Sequence, residues 1–161
     1  MIRPVRPADD AAAICEIYNH YVTDTVVTFE NEPIALPEMR KRIETISAHF
    51  PYLVYEQGGR VLGYCYADTW RTREAYNRTV ETTVYLHRDW LGKGIGSQLY
   101  AELLGRLRAA NFHVAVASIT LPNTASVALH EKLDFRKVAH FTEVGWKFAK
   151  WLDVGFWELI F

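Results

Sequence analysis

The chain has 161 residues, with 18 lysines and arginines against 19 aspartates and glutamates, a formal net charge of −1. That length suits one domain that holds its own core, and with half of the residues apolar a disordered chain is excluded. So even a charge balance offers no basic footprint for nucleic acid, and no apolar run approaches the ~20 residues of a membrane-spanning helix.

In chain order, residues 2–6 read as a short strand closed by Pro7. Asp9 stands where a side-chain cap would open a helix running to about Thr23, with Ile14, Ile17, Tyr18 and Tyr21 on one face. Residues 26–30 are apolar and aromatic before Pro33 and Pro37 interrupt. A second helix starts at Leu36-Pro37-Glu38, with proline in its first turn, and runs to about Phe50, where Pro51 ends it. Residues 52–56 and 60–67 are strands, and Gly58-Gly59 between them signals a hairpin. Residues 70–78 form a polar and aromatic loop.

Residues 80–107 then change character twice. Residues 80–86 are β-branched and aromatic and suit a strand, with Glu81, Thr83 and Tyr85 on one face and Val80, Thr82, Val84 and Leu86 on the other. Gly92-Lys93-Gly94-Ile95-Gly96 follows, with glycine at every second position, so that backbone amides can approach a ligand unobstructed. From Ile95 the apolar residues recur as Ile95, Leu99, Leu103 and Leu107, a helical stripe. A glycine turn opening a helix gathers unpaired amides at the positive end of the dipole and suits phosphate. It lacks the Lys-Ser/Thr ending of a P-loop and the GxGxxG spacing of a dinucleotide fold. A plain strand-to-helix turn fits the same residues.

Residues 114–120 are another strand, broken by Leu121-Pro122, and Asn123 is a good cap for a helix to Leu133. Residues 135–141 and 156–161 read as closing strands separated by an excursion over residues 145–153. Strands alternating with helices around a mixed sheet make an α/β sandwich. Cys15 and Cys65 have no CxxC spacing, no secretory leader is seen, and a reducing cytosol is the expected compartment. The six histidines show no HxxxH pair, so no metal site is expected.

Four groups of residues are candidates for chemistry. Glu81 lies on the strand that leads into the glycine turn and suits a general base, or equally an exposed strand carboxylate or the partner of Arg73 or Arg78 in a salt bridge. His130 follows Asn123 by seven residues, about two helical turns, so both can line one groove; a solvated helix histidine is the alternative. Arg71 and Arg73 flank Thr72 and in an extended segment point the same way, as a clamp for an anion or as ordinary surface charges. Phe29, Trp70, Tyr76 and Trp90 are candidate pocket walls or core.

Together these features resemble the GNAT acetyltransferase superfamily, and within it the phosphinothricin N-acetyltransferases and related amino-acid N-acyltransferases. The resembling segments are Asn19-His20-Tyr21, Trp70 with Ala75-Tyr76, Thr79-Val80-Glu81 with Thr83-Val84-Tyr85, Gly94-Ile95-Gly96-Ser97, Leu121-Pro122-Asn123, Leu129-His130-Glu131 and Trp151-Leu152-Asp153-Val154-Gly155-Phe156-Trp157. They span essentially the whole chain.

The resemblance implies a mixed, mostly antiparallel sheet flanked by helices, with a splayed strand pair that admits acetyl-CoA. It implies a single domain over residues 1–161, a cytoplasmic homodimer, a small amino-acid-like acceptor, and no nucleic acid, membrane or metal. The cofactor would lie on Gly92, Lys93, Gly94, Ile95, Gly96 and Ser97, along Val84, Tyr85 and Leu86, and against Asn123. Glu81 would be the general base, and His130 would stand where many relatives carry a tyrosine acid. Phe29, Arg71, Arg73, Tyr76 and Thr83 would lie near the acceptor.

Two positions depart from the superfamily pattern: Leu91 replaces a long polar residue, and Asp134 replaces the glycine of LGF. Acetylation of a peptide or protein N-terminus, and a non-catalytic acetyl-CoA sensor, are the alternative readings.

Overall fold

The computed structural model describes residues 1–161. Its strands are β1 (Ile2–Pro4), β2 (Tyr52–Gln57), β3 (Arg60–Thr69), β4 (Thr79–Leu86), β5 (Val114–Leu121), β6 (Arg136–Lys147) and β7 (Lys150–Ile160). They form one sheet in the order β1-β2-β3-β4-β5-β7-β6. Every neighbouring pair is antiparallel except β4 and β5, which are parallel. The helices are α1 (Pro7–Asp24), α2 (Leu36–Ser47), α3 (Ile95–Ala109) and α4 (Thr124–Lys132). None is long and apolar enough to cross a membrane.

The sheet separates two apolar clusters. The α3 stripe of Ile95, Leu99, Leu103 and Leu107 is buried as its spacing requires, against Leu53, Leu62, Ala115 and Trp157. On the other side, Ile14 and Ile17 of α1 and Met39 and Ile43 of α2 meet Val54 and Tyr64. Leu53 and Val54 are adjacent on β2 and enter opposite clusters, as the two-residue period of a strand dictates.

The first helix starts earlier than the sequence suggests, and Asp9 does not cap it. Pro7 occupies the first turn and Arg6 is the cap residue, without a side-chain cap bond. The acid that matters is Asp10. It is buried, accepts the Arg6 N–H at 2.7 Å and takes both arms of the Arg3 guanidinium at 2.7 and 2.8 Å. Burial alone would push its carboxyl up; the Arg3 and Arg6 bonds hold it below the usual carboxylate range instead.

The C-terminal quarter also differs from the sequence reading. The supposed excursion over residues 145–153 is the end of a long hairpin, in which Gly145 pairs with Leu152, Trp146 with Trp151 and Lys147 with Lys150. Phe148 and Ala149 make the turn, with φ of 53° and 56°. Such tight turns usually announce themselves as Asn-Gly or Asp-Gly, and here neither residue gives that signal. The register of β6 jumps between Phe141 and Gly145, and the Glu143 N–H is held by the Asp153 carboxylate at 2.8 Å. Asp134 takes the left-handed conformation (φ 66°) that its place after α4 demands.

Candidate active site

The parallel pair β4–β5 is in register only at Thr79–Val114, Val80–Ala115 and Glu81–Val116. Past Glu81 the two strands part, although each continues for several residues. The gap between them is a cavity of about 330 Å³ whose walls include Glu81, Thr83, Ser118, Asn123, His130 and Phe29. Glu81 therefore stands at the mouth of a fork, half-exposed. Its carboxylate accepts a hydrogen bond from the Ser118 hydroxyl at 2.6 Å and makes no ion pair with Arg73 or Arg78. Ser118 was not singled out in the sequence, because its contact to Glu81 depends on the register of β5.

Along the far stretch of β4 runs a second groove of about 500 Å³, lined by Val84, Tyr85, Leu86, the glycine turn and the exposed face of α4. Gly92 and Gly94 have φ of 73° and 76°, conformations that only glycine takes without strain. The first bond of the helical ladder is Gln98 N–H to Gly94 C=O at 3.2 Å. The amides of Ile95, Gly96 and Ser97 precede it and are free for an anion. The groove thus fits the diphosphate and extended arm of acetyl-CoA. Ile95 itself points into the core, and Lys93 lies over the Trp90 ring at 4.0 Å. Leu91 lines the groove with an exposed apolar side chain. Tyr21, Leu129 and Lys132 also line it. The Tyr21 hydroxyl donates to the Leu86 carbonyl at 2.7 Å and closes the end of β4.

The cavity and the groove share Val27, Val84, Tyr85, Asn123 and Ser126. They are two arms of one space that meet at the fork. Asn123 caps α4 by accepting the Ser126 N–H at 3.1 Å, which fixes the helix against the junction.

His130 is buried, with 3% of its surface exposed. Its Nδ1 lies 2.7 Å from the Ser126 carbonyl, which can only accept, so Nδ1 carries a proton. Its Nε2 lies 3.0 Å from the Tyr100 hydroxyl. That hydroxyl is also 3.1 Å from Thr82 Oγ1, and Thr82 donates to the Val116 carbonyl at 3.3 Å. A phenol has one proton to give. When the imidazole is neutral, Tyr100 donates to Nε2. When the imidazole is charged, Nε2–H donates to Tyr100, whose proton turns to Thr82 and whose chain ends on Val116. The network satisfies the ring in both protonation states. Burial lowers the His130 pKa below the ordinary value, and the Ser126 bond works against it. Burial also raises the Tyr100 phenol far above the physiological range, so Tyr100 relays hydrogen bonds but does not ionise.

Arg71, Arg73 and Tyr76 are not brought to the Glu81 cavity. They line a separate recess of about 210 Å³ with Thr69, Thr72 and Thr79, and Arg71 stacks on Trp70 at 5.2 Å. No carboxylate within ion-pair distance neutralises either arginine. Phe29 and Thr83 do line the Glu81 cavity. No cluster of three or more His, Cys, Asp or Glu side chains has the arrangement of a metal site.

A family model described as an acetyltransferase (GNAT) domain matches residues 2–155. A phosphinothricin N-acetyltransferase of Streptomyces viridochromogenes is 42% identical over 157 residues, covering 98% of this chain and 85% of that protein. The crystal structure of a GNAT superfamily phosphinothricin acetyltransferase from Sinorhizobium meliloti, in complex with AcCoA, superposes with a TM-score of 0.95 at 37% identity, over 99% of this chain and 87% of that one. A structure described as a ribosomal-protein-alanine N-acetyltransferase from Brucella melitensis superposes with a TM-score of 0.97 at 34% identity, over 100% and 99% of the two chains. With the forked strands, the glycine turn and these similarities in hand, the chain belongs to the GNAT acetyltransferase family.

Proposed function

We propose that this protein transfers the acetyl group of acetyl-CoA to the primary amine of a small amino-acid-like acceptor, such as phosphinothricin, methionine sulfoximine, methionine sulfone or a free L-amino acid. The observation that carries this reading is the junction of the glycine-turn groove with the Glu81 cavity at the β4–β5 fork. One arm suits the thioester cofactor, and the other is a smaller space with a carboxylate at its mouth.

The steps follow from the residues present. An amine with a pKa near 8 or above is mostly protonated at neutral pH and must lose a proton before it attacks. Glu81, oriented by Ser118, receives that proton directly or through a water. The C–N bond forms, and a backbone N–H on the unpartnered edge of β4 faces the developing oxyanion. The C–S bond breaks, and the CoA thiolate takes a proton. His130, on α4 of the same wall, is the group whose surroundings support both of its protonation states, and we assign it to pass on to the thiolate the proton that Glu81 received. Holding both substrates in one forked space supplies the orientation term. Arg71 and Arg73 line the separate recess and are assigned no part in this step.

Catalysis resides in a single domain acting in the cytoplasm. The hairpin β6–β7 exposes Phe141, Val144, Trp146, Phe148 and Trp151, each more than half exposed. A run of bare aromatics on an edge hairpin calls for a cover, and we assign that cover to a second copy of the chain. The name of the Brucella structure favours a second reading, acetylation of a protein N-terminus.

The test is acetyl-CoA-dependent thiol release with the named small acceptors and a short peptide. Saturable release with the small acceptors supports the assignment. Release with the peptide alone overturns it in favour of protein modification. Binding of acetyl-CoA without release for any acceptor overturns it in favour of a sensor.

A further inference from the structure

One wall of the Glu81 cavity is neither helix nor strand. Val27, Thr28 and Phe29 line it, and they belong to the irregular segment between α1 and α2. Such a segment has no ladder of its own, so something else must fix its path. From the α1 side, Asn19 holds Ile34 through its N–H at 2.8 Å and its carbonyl at 2.9 Å, and Tyr18 reaches the Thr28 hydroxyl at 2.9 Å. From α2, Arg42 binds the Glu30 carboxylate at 2.8 and 3.0 Å, and a further tie comes from a lysine 119 residues beyond Thr28.

That lysine is Lys147, next to the tip of the β6–β7 hairpin and 1% exposed. Its ammonium donates to the Val22 carbonyl at 2.7 Å and to the Thr28 carbonyl at 2.8 Å. No carboxylate lies within ion-pair distance, and Glu30 acts on it only through space. Burying an ammonium is costly unless its donors are satisfied. Here two of its three donors go to the backbone carbonyls that bracket the turn into the cavity wall, and the ammonium lies 5.0 Å from the centre of the Phe148 ring. Two residues before it, Gly145 lies directly under Phe29: a Cβ at Gly145 would collide with Cζ and Cε2 of the Phe29 ring. The hairpin thus both pins the segment and leaves the hollow in which its aromatic ring rests.

We propose that Gly145 and Lys147 determine acceptor specificity, Lys147 as the positioning residue that clips the 25–30 segment in place and Gly145 as the hollow that sets how far Phe29 reaches toward Glu81. The inference rests on the Glu81 cavity being the acceptor site. The cofactor groove is built mainly of β4, the glycine turn and α4, and of the clipped segment only Val27 also lines it. The two substrates should therefore respond differently.

Steady-state kinetics would be measured for Gly145→Ala, Lys147→Met, Phe29→Ala and the double variant Gly145→Ala/Phe29→Ala, with circular dichroism as a folding control. The expected result is a rise in acceptor KM of about tenfold for Gly145→Ala and for Lys147→Met, with acetyl-CoA KM within about twofold of the unaltered protein. The Gly145→Ala effect should vanish in the Phe29→Ala background, because the ring that is displaced is gone. A Gly145→Ala effect that persists without Phe29, or two KM values that move together, would overturn the proposal. Should Lys147→Met not fold, the Gly145/Phe29 cycle decides alone. Unaltered protein that turns over no small acceptor sinks the proposed function and this inference together; turnover with an unmoved acceptor KM sinks this inference only.

Discussion

The two walls of the active-site cavity are built by different means. The fork wall, made by β4, β5, α3 and α4, is regular structure backed by a buried apolar stripe, and its polar groups are paired within it. The opposite wall, made by residues 25–34 and the β6–β7 hairpin, is irregular chain on an aromatic edge, fixed by a few side-chain bonds across long sequence separations. The first wall is the part common to any thioester chemistry. The second is where a small change of side chain alters which acceptor fits. A rigid half and a clipped half divide the labour of catalysis and selection.

Variants that break the fork should cost the most stability. Leu99→Ala removes a fully buried member of the α3 stripe and is expected to destabilise the protein by about 2–5 kcal/mol in denaturant titration. Tyr100→Phe deletes one hydroxyl shared by Thr82 and His130 and should cost about 1–3 kcal/mol, since buried polar atoms lose their partner.

The same variant bears on pH. Because His130 is held below its ordinary pKa by burial, the folded protein keeps the ring neutral while the unfolded chain charges it below about 6.5. That contribution is present above the unfolded value and is lost as pH falls through the folded one. His130→Gln should therefore flatten the stability profile on the acid side of 6.5. In Tyr100→Phe both forms of the ring lose their partner at Nε2, and the imidazolium loses the stronger bond, so the His130 limb of the kcat profile should move to lower pH.

Asn123→Ala removes the cap of α4 and should cost about 1 kcal/mol, read in the same titration. On the clipped side, Arg42→Ala breaks the half-exposed pair with Glu30 and should cost no more than about 1 kcal/mol. It should move acceptor KM more than stability. Equal stability losses on both sides would break the contrast between the walls.

The elements around the fork were legible because their signals are local, whereas the parting of β4 from β5 came only from the resemblance. The strand period of residues 80–86, the glycine positions that require positive φ, the four-residue stripe of α3 and the Asn123 cap all lie within a few residues of what they specify. Asp134 could be anticipated for the same reason. The clipped wall was not legible. Lys147 reads as one more surface lysine until the hairpin carries it to Val22 and Thr28, and Gly145 reads as part of an excursion until Phe29 lies on it. The hairpin itself was missed because its turn is made by Phe148 and Ala149 rather than by turn residues. Ser118 and Tyr100 are ordinary strand and helix residues whose meaning comes from register alone. Arg71 and Arg73 show the converse case: sequence proximity to β4 did not place them at its cavity.

The central claim, that the carboxylate at the mouth of the fork takes the acceptor's proton, is tested most directly by Glu81→Gln. The measurement pairs calorimetric binding of acetyl-CoA with thiol release in the presence of the preferred small acceptor. Binding within about twofold of the unaltered protein, with kcat lower by about 100-fold or more, is the predicted result. Turnover within a few-fold of the unaltered protein, or binding lost along with it, would contradict the account.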